Sequence, residues 1–133
     1  MGDERFDAGL EARRRVLGSE HVDRVFAGAD SFDLDFQNEL TAYGWGGVWT
    51  RPTLSDRQRS LISITLLAVL NRPREFKTHV RAAFGNGCTL EEIRDTLMQV
   101  SVYAGIPAGV DAFRFAREVI VEEGIDVPPA TGE

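Results

Sequence analysis

The sequence predicts a small all-α protein, a single-domain helical bundle of about six to seven helices. Three observations predict this class: apolar residues recur at spacings of three and four, two capping-box sequences precede apolar runs, and glycine or proline separates the runs. The chain has 133 residues, 43% of them hydrophobic and 27% charged, which is ordinary for one domain with its own core. We expect a helical domain over residues 1–124 and a flexible tail over residues 125–133.

The N-terminal half of the chain divides into amphipathic segments that end at glycines. A first helix is predicted over about residues 3–17, stopped by Gly18, and a short second helix from Ser19. The next helix carries an apolar stripe at spacings of four and three: Phe32, Phe36, Leu40 and Tyr43. Three glycines within residues 44–47 predict that this helix does not continue unbroken, and the Arg-Pro step at residues 51–52 predicts a turn.

Four helices are predicted in the second half of the chain. Ser55 and Gln58 have capping-box spacing, and they open a helix whose segment 61–70 lacks a polar face. We expect that segment to be buried on most sides, with help from a neighbouring subunit because the chain is small. Three further helices begin or end at Pro73, Gly85, Thr89, Gly105 and Gly124.

Composition argues against several classes of protein. The net charge of −6 argues against general nucleic-acid binding, which needs a basic face. The longest nearly apolar run covers residues 61–70, whereas a membrane helix needs about 18 apolar residues or more. The single cysteine, Cys88, excludes an internal disulfide framework and a CxxC pair. We therefore expect a cytoplasmic protein with neither a nucleic-acid nor a membrane partner.

His79 is the residue best placed for acid or base chemistry. It follows Phe76 by three residues and Glu75 by four, so it lies beside an apolar stripe with a carboxylate one turn away. An imidazole in that position suits proton transfer near neutral pH. The alternative is a partly buried histidine that bonds a backbone carbonyl. The two histidines, His21 and His79, lie far apart without a cysteine cluster, so we expect no metal site.

The second group of candidates is aromatic and basic. Trp45 and Trp49 lie within five residues of each other, beside glycines and just before Arg51. They either plug a gap between helices or form a pocket wall with Arg51 as a carboxylate anchor. Arg59 opposes the dipole at the start of its helix, which suggests another role, and Tyr103 places a phenol at a helix break. For these last two residues, solvated surface and simple chain punctuation are the alternatives.

Motifs spread over nearly the whole chain carry a family resemblance. The densest are W-G-G-V-W-T-R-P at residues 45–52, R-S-L at 59–61, H-V-R-A-A at 79–83, N-G-C-T-L-E-E-I at 86–93 and Y-A-G-I-P-A at 103–108. In these motifs the chain resembles the carboxymuconolactone decarboxylase family of the alkylhydroperoxidase-D-like superfamily. The resemblance implies an alkylhydroperoxidase-D-like helical bundle that assembles as a homo-oligomeric ring, a hexamer or a trimer.

The resemblance also implies an activity. It implies a carboxy-lyase that converts 4-carboxymuconolactone to 3-oxoadipate enol-lactone in the β-ketoadipate pathway of protocatechuate degradation. The substrate is a small dicarboxylate lactone, and neither a metal nor an organic cofactor is implied. His79 is expected to supply a proton, with Glu75 as its orienting partner. The expected substrate-binding residues are Arg51, Trp45, Trp49, Tyr103 and Arg59.

Two departures from the superfamily pattern bear on this expectation. The peroxidase relatives have a CxxC pair just before the position that matches His79, and Pro73 and Phe76 stand in its place here. This chain therefore lacks the cysteine pair that the dithiol chemistry of those relatives requires. The decarboxylase pattern often has an acidic residue where Gly47 stands. That departure leaves two alternatives open: another cofactor-free lactone or β-keto-acid enzyme on this fold, and a non-catalytic oligomeric binding protein.

Overall fold

The computed structural model describes residues 3–130, and all regular secondary structure in that range is helical. The helices are α1 (Glu4–Leu17), α2 (Ser19–Ala27), α3 (Leu34–Leu40), a π-helix (Thr41–Trp49), α4 (Asp56–Val69), α5 (Pro73–Gly85), α6 (Leu90–Ala104) and α7 (Ile106–Glu122). The predicted all-α class is confirmed. Part of the predicted tail, residues 131–133, lies outside the described range. Within that range, no helix has both the length and the apolar character needed to cross a membrane.

The chain divides into two compact units, one up to Arg59 and one from Ser60 onward. In the first unit, α1 packs mainly against the π-helix. A methyl carbon at Gly9 would collide with the Thr41 carbonyl oxygen, and one at Gly46 would collide with the Arg5 carbonyl oxygen. The backbones of the two helices are therefore in contact, and only glycine at these two positions permits that approach.

The π-helix corrects one prediction from the sequence. The glycines at residues 44–47 were expected to interrupt the helix, but the helical path continues through Trp49 with the wider turns of a π-helix. Tertiary packing overrides the low helix propensity of glycine here. Because Gly46 has no side chain, α1 can pack directly against the π-helix backbone. The predicted apolar stripe of residues 32–43 is also largely exposed to solvent in the single chain, since Phe32, Phe36 and Tyr43 are all exposed.

A buried arginine joins α1 to the π-helix. Arg13 is 6% exposed, and its Nη1 donates to the Thr41 hydroxyl at 3.0 Å. That hydroxyl in turn donates to the Gln37 carbonyl at 2.6 Å. The Phe26 ring centroid lies 5.6 Å from the guanidinium carbon. Burial lowers the pKa of Arg13, and within residues 3–130 no carboxylate forms an ion pair with it.

The second unit is built around one apolar core. Its members come from all four of the helices that contribute to the unit: Ile64, Phe76, Val80, Ala83, Ile93, Leu97, Ala112, Ala116 and Val119. The predicted capping box is confirmed at α6, where the Thr89 hydroxyl accepts from the Glu92 amide at 3.1 Å and the Glu92 carboxylate accepts from the Thr89 amide at 3.0 Å. The reciprocal pair of Ser55 and Gln58 forms before α4 as well.

The apolar segment of α4 is less covered than the sequence predicts. Within this chain the helix buries Ser60 and Ile64, but Ile62, Leu66 and Val69 remain about half exposed. The expected burial on most sides is therefore not achieved by the single chain. An apolar groove of about 370 Å³ lies between α4 and α6, and it includes Leu66 and Val69 on one side and Tyr103 on the other.

Charged residues join α5 to α7. The ammonium of Lys77 donates to Glu118 at 2.8 Å and to Glu122 at 3.3 Å. Arg81 donates to Glu122 at 2.9 Å and to Glu123 at 3.0 Å. These hydrogen bonds raise the pKa of Lys77 and lower the pKa of Glu122.

The Arg13 contact yields a stability prediction. Thr41→Val keeps the shape of the side chain but leaves a buried guanidinium without its hydroxyl acceptor, which should cost about 1–3 kcal/mol of unfolding free energy. Thr50→Val is the matched control, since the Thr50 hydroxyl is exposed and donates to the Gly46 carbonyl at 2.8 Å. Urea denaturation followed by circular dichroism would compare the two variants. Equal stability of Thr41→Val and Thr50→Val would contradict the role assigned to Arg13.

The ion network between α5 and α7 yields a pH prediction. Because the pKa of Glu122 is lowered on folding, the unfolded chain binds this proton more readily than the folded chain does. The stabilisation is complete above the unfolded pKa of glutamate, about 4.3, and is lost as the pH falls through the lower folded pKa. Wild type should therefore lose more unfolding free energy on acidification than Glu122→Gln does. Urea titrations from about pH 7 to about pH 3 test this, with Glu39→Gln, an exposed α3 glutamate, as control.

Candidate functional site

Two tryptophans stack at the end of the π-helix. The rings of Trp45 and Trp49 are 4.9 Å apart between centroids, with 28° between their planes. Trp45 is buried and Trp49 is half-buried, so the pair has one face in the unit and one edge near solvent. The two rings form one flat apolar surface whose inner ring, Trp45, is covered and whose outer ring, Trp49, is half-buried.

Trp49 also lines a pocket of about 400 Å³ in the first unit. One wall is α1, and the other is the segment that follows the π-helix. The lining residues are Ala8, Glu11 and Arg15 of α1, with residues 49–52 and 54–56. We call this the Arg51 pocket, because Arg51 is the candidate carboxylate anchor within it. The structure thus brings Trp49 and Arg51 together in one concave site.

Two of the arginines in this region already have partners. Arg15 binds Asp56 through Nε at 2.8 Å and Nη2 at 3.2 Å, and this hydrogen bonding raises the pKa of Arg15. Arg59 Nη2 donates to the Arg51 backbone carbonyl at 3.1 Å. Arg59 therefore fixes the backbone that carries Arg51. The Arg51 side chain is exposed, and within residues 3–130 it forms no ion pair.

The histidine candidate lies on α5 of the second unit. His79 is half-buried between the fully buried Phe76 and Val80. Glu75 is exposed one turn earlier, and residues four apart share a face of a helix. An imidazole at the edge of an apolar core, with a carboxylate one turn away, has the access to solvent and ligand that proton transfer requires.

Tyr103 is one of the exposed residues of the predicted site set. It lies near the end of α6, is 84% exposed in the single chain, and borders the groove between α4 and α6. The predicted set is therefore found in two groups. The first unit holds Trp45, Trp49, Arg51 and Arg59, and the second unit holds Glu75, His79 and Tyr103.

Sequence reasoning missed the α1 wall of the Arg51 pocket. Ala8, Glu11 and Arg15 follow one another at spacings of three and four, which was a signal for a shared helix face. The partner of Arg15, Asp56, is 41 residues away and no local pattern pointed to it. In the described part of the chain, no three His, Cys, Asp or Glu side chains cluster as metal ligands.

Comparison with known proteins places the chain in a family. The sequence model of the carboxymuconolactone decarboxylase family matches residues 35–118, which is more than half of the chain. The chain belongs to the carboxymuconolactone decarboxylase family. It is 43% identical over 126 residues to a 4-carboxymuconolactone decarboxylase of Acinetobacter baylyi, an alignment that covers 94% of each chain.

Two further relatives carry functional names. A nitrosuccinic acid decarboxylase of Metarhizium robertsii is 36% identical over 115 residues, covering 86% of this chain and 80% of the relative. A 4-carboxymuconolactone decarboxylase sequence of Pseudomonas putida is 42% identical over 43 residues, covering 32% of this chain and 90% of that sequence. The family resemblance read from the sequence motifs is thereby confirmed.

Proposed function

We propose that this protein is a carboxy-lyase that converts 4-carboxymuconolactone to 3-oxoadipate enol-lactone. The observation that carries the proposal is the near full-length similarity, 43% identity over 94% of both chains, to a relative of that name. The pocket that combines an arginine with a tryptophan supports it, because the substrate is an unsaturated lactone with two carboxylates. The reaction belongs to protocatechuate degradation, and we place the protein in the cytoplasm.

The substrate supplies its own electron sink. One carboxylate stands on the ring carbon γ to the lactone carbonyl. When the bond between that carbon and the carboxylate breaks, CO2 leaves and the electron pair delocalises through the ring double bond to the carbonyl oxygen. The resulting dienolate takes a proton on the carbon α to the carbonyl, which gives the enol-lactone. The protein has to bind the carboxylates, stabilise the developing oxyanion and deliver one proton.

Arg51 is proposed to bind a substrate carboxylate. A guanidinium fork forms two parallel hydrogen bonds to a carboxylate. Arg51 lies at a pocket, its side chain has no competing ion pair within residues 3–130, and Arg59 holds its backbone in place. Trp49 gives the same pocket a flat apolar wall against which the lactone ring can pack.

His79 is proposed to deliver the proton, with Glu75 as its orienting partner. The support is positional: His79 is half-buried on a rigid helix, and Glu75 occupies the same face one turn earlier. Phe76 and Val80, on the same helix, are buried in the core and fix the helix that carries His79. The imidazole would act as a general acid, which typically accelerates a reaction by about 10²–10⁴-fold.

A second substrate class is favoured by the similarity to the nitrosuccinic acid decarboxylase. Nitrosuccinic acid is also a dicarboxylic acid, and its nitro group can accept the electron pair that is released with CO2. A dicarboxylate with a built-in electron sink is therefore common to both candidate substrates. An assay that follows the absorbance of 4-carboxymuconolactone, and a parallel one that measures CO2 release from nitrosuccinate, would decide between them.

We also propose that the protein is a homo-oligomer, a hexamer or a trimer. The support is the uncovered apolar surface on α4 and α6, where Leu66 and Val69 are about half exposed and Val102 is 78% exposed. A contiguous apolar groove of this kind is typical of protein interfaces. A partner subunit seated there would also cover Tyr103, the expected substrate-binding residue at the edge of the groove.

The proton-transfer role makes a kinetic prediction. His79→Ala should lower kcat by about 10²–10⁴-fold with the fold intact, because the dienolate loses its proton donor. Arg51→Ala should act mainly by raising KM, if Arg51 binds the carboxylate equally in the ground and transition states. His21→Ala is the matched control, since His21 lies on α2 outside the proposed machinery. Retention of more than about a tenth of wild-type kcat by His79→Ala would show that the proton has another source.

The assembly proposal makes a hydrodynamic prediction. Sedimentation velocity at micromolar concentration should give a mass several times that of one chain. Leu66→Glu puts a charge on the α4–α6 groove and should shift the protein toward smaller species. Val121→Glu adds the same charge at an exposed α7 position outside that groove and should leave the mass unchanged. A wild-type monomer would refute the proposal.

A further inference from the structure

The first turn of α1 lies over the glycines in the middle of the π-helix. A methyl carbon at Gly47 would lie 2.5 Å from Nη2 of Arg5. The Arg5 guanidinium therefore rests against the Gly47 backbone, in space that a side chain at position 47 would fill. The neighbouring contact between the Gly46 backbone and the Arg5 carbonyl holds the start of this side chain in place.

Arg5 lies on the same face of α1 as the wall of the Arg51 pocket. Positions 5, 8 and 15 differ by three and seven residues, which is the spacing of one helix face. Ala8 and Arg15 line the pocket directly. Arg5 therefore extends that wall by one turn toward the N-terminus of the helix, next to the π-helix that supplies Trp49.

The pocket lining holds the carboxylates of Glu11 and Asp56 and the guanidinium groups of Arg15 and Arg51, and both carboxylates act on Arg15. Arg15 is neutralised by the bidentate contact with Asp56. Within residues 3–130, neither Arg5 nor Arg51 forms an ion pair or a side-chain hydrogen bond. Arg51 lines the pocket, and Arg5 lies one helical turn beyond its α1 wall, against Gly47. In a chain of net charge −6, two guanidinium groups without ion pairs in this region match a ligand that carries two carboxylates.

We propose that Arg5 is a substrate-binding residue, the second carboxylate anchor beside Arg51, and that Gly47, which stands where the decarboxylase pattern often has an acidic residue, leaves the Arg5 guanidinium space and no carboxylate partner at that position. The inference rests on the proposed function, since it assigns the two carboxylates of the substrate to two arginines. It makes the site selective for dicarboxylates over monocarboxylates. Loss of one charged anchor should weaken dicarboxylate binding by about tenfold to a hundredfold.

Equilibrium binding of an unreactive probe tests this proposal without turnover. The probe is the ring-saturated lactone that keeps both carboxylates but cannot form the dienolate. Isothermal titration would compare it with two monoacids, each made by removing one of the carboxylates. Wild type should bind the diacid better than either monoacid, and Arg5→Ala should lose the advantage of the diacid over one of them. Arg5→Lys should recover part of that advantage, because it keeps the charge without the fork.

Two further variants test whether Arg5→Ala changes diacid binding directly or through a disturbance of α1. Arg14→Ala removes a neighbouring α1 arginine that binds Asp23 at 2.6 Å, and it should keep the wild-type preference for the diacid. Gly47→Ala keeps Arg5 but displaces its guanidinium, so it should weaken diacid binding as Arg5→Ala does. A full wild-type preference for the diacid over both monoacids in Arg5→Ala would overturn the proposal, as would the absence of probe binding by wild type.

The binding experiment separates this inference from the proposed function. If wild type binds the diacid through Arg5 but releases no CO2 from 4-carboxymuconolactone, the proposed function fails and the assignment of Arg5 stands. If wild type decarboxylates the substrate while Arg5→Ala keeps the diacid preference, the assignment of Arg5 fails alone. In the turnover assay, Arg5→Ala should raise KM about tenfold or more with kcat within a few-fold of wild type.

Discussion

The direct backbone contact between α1 and the π-helix is the constraint on which the first unit depends. Gly9 and Gly46 lack the side chains that would keep the two helices apart, so carbonyl groups of one helix touch the other. The contact sets the position of the Trp45–Trp49 stack and brings α1 close enough to form a wall of the Arg51 pocket. A larger residue at Gly46 would therefore disturb the pocket as well as the fold.

The buried Arg13 shows that this contact carries an electrostatic cost. A guanidinium that has left water needs strong compensation, yet its partners here are the Thr41 hydroxyl and the face of Phe26. Thr41 is the first residue of the π-helix, so the hydrogen bond fixes the point at which the wide turns begin. Arg13 thus holds the helix that carries the tryptophans, whereas Arg5 and Arg51 form no ion pair within residues 3–130.

The proposed chemistry explains why catalysis needs few protein groups. The substrate holds the electron pair of the broken bond in its own conjugated system, so the protein has to supply only carboxylate anchors, an oxyanion donor and a proton. Arginines in the first unit suit the anchors, and His79 on α5 suits the proton. Tyr103 and apolar residues of α4, Leu66 and Val69 among them, are exposed in the single chain.

The sequence by itself determined the all-α class, most helix bounds, both capping boxes and the apolar stripe of α5. These features depend on residues within one or two helical turns of each other, and local spacing reveals them. Only the tertiary structure decided that the glycines continue the helix as a π-helix, that Asp56 binds Arg15, and that Arg5 lies on Gly47. Each of these results from packing between segments about 40 residues apart, and local propensity carries no information about which segments meet.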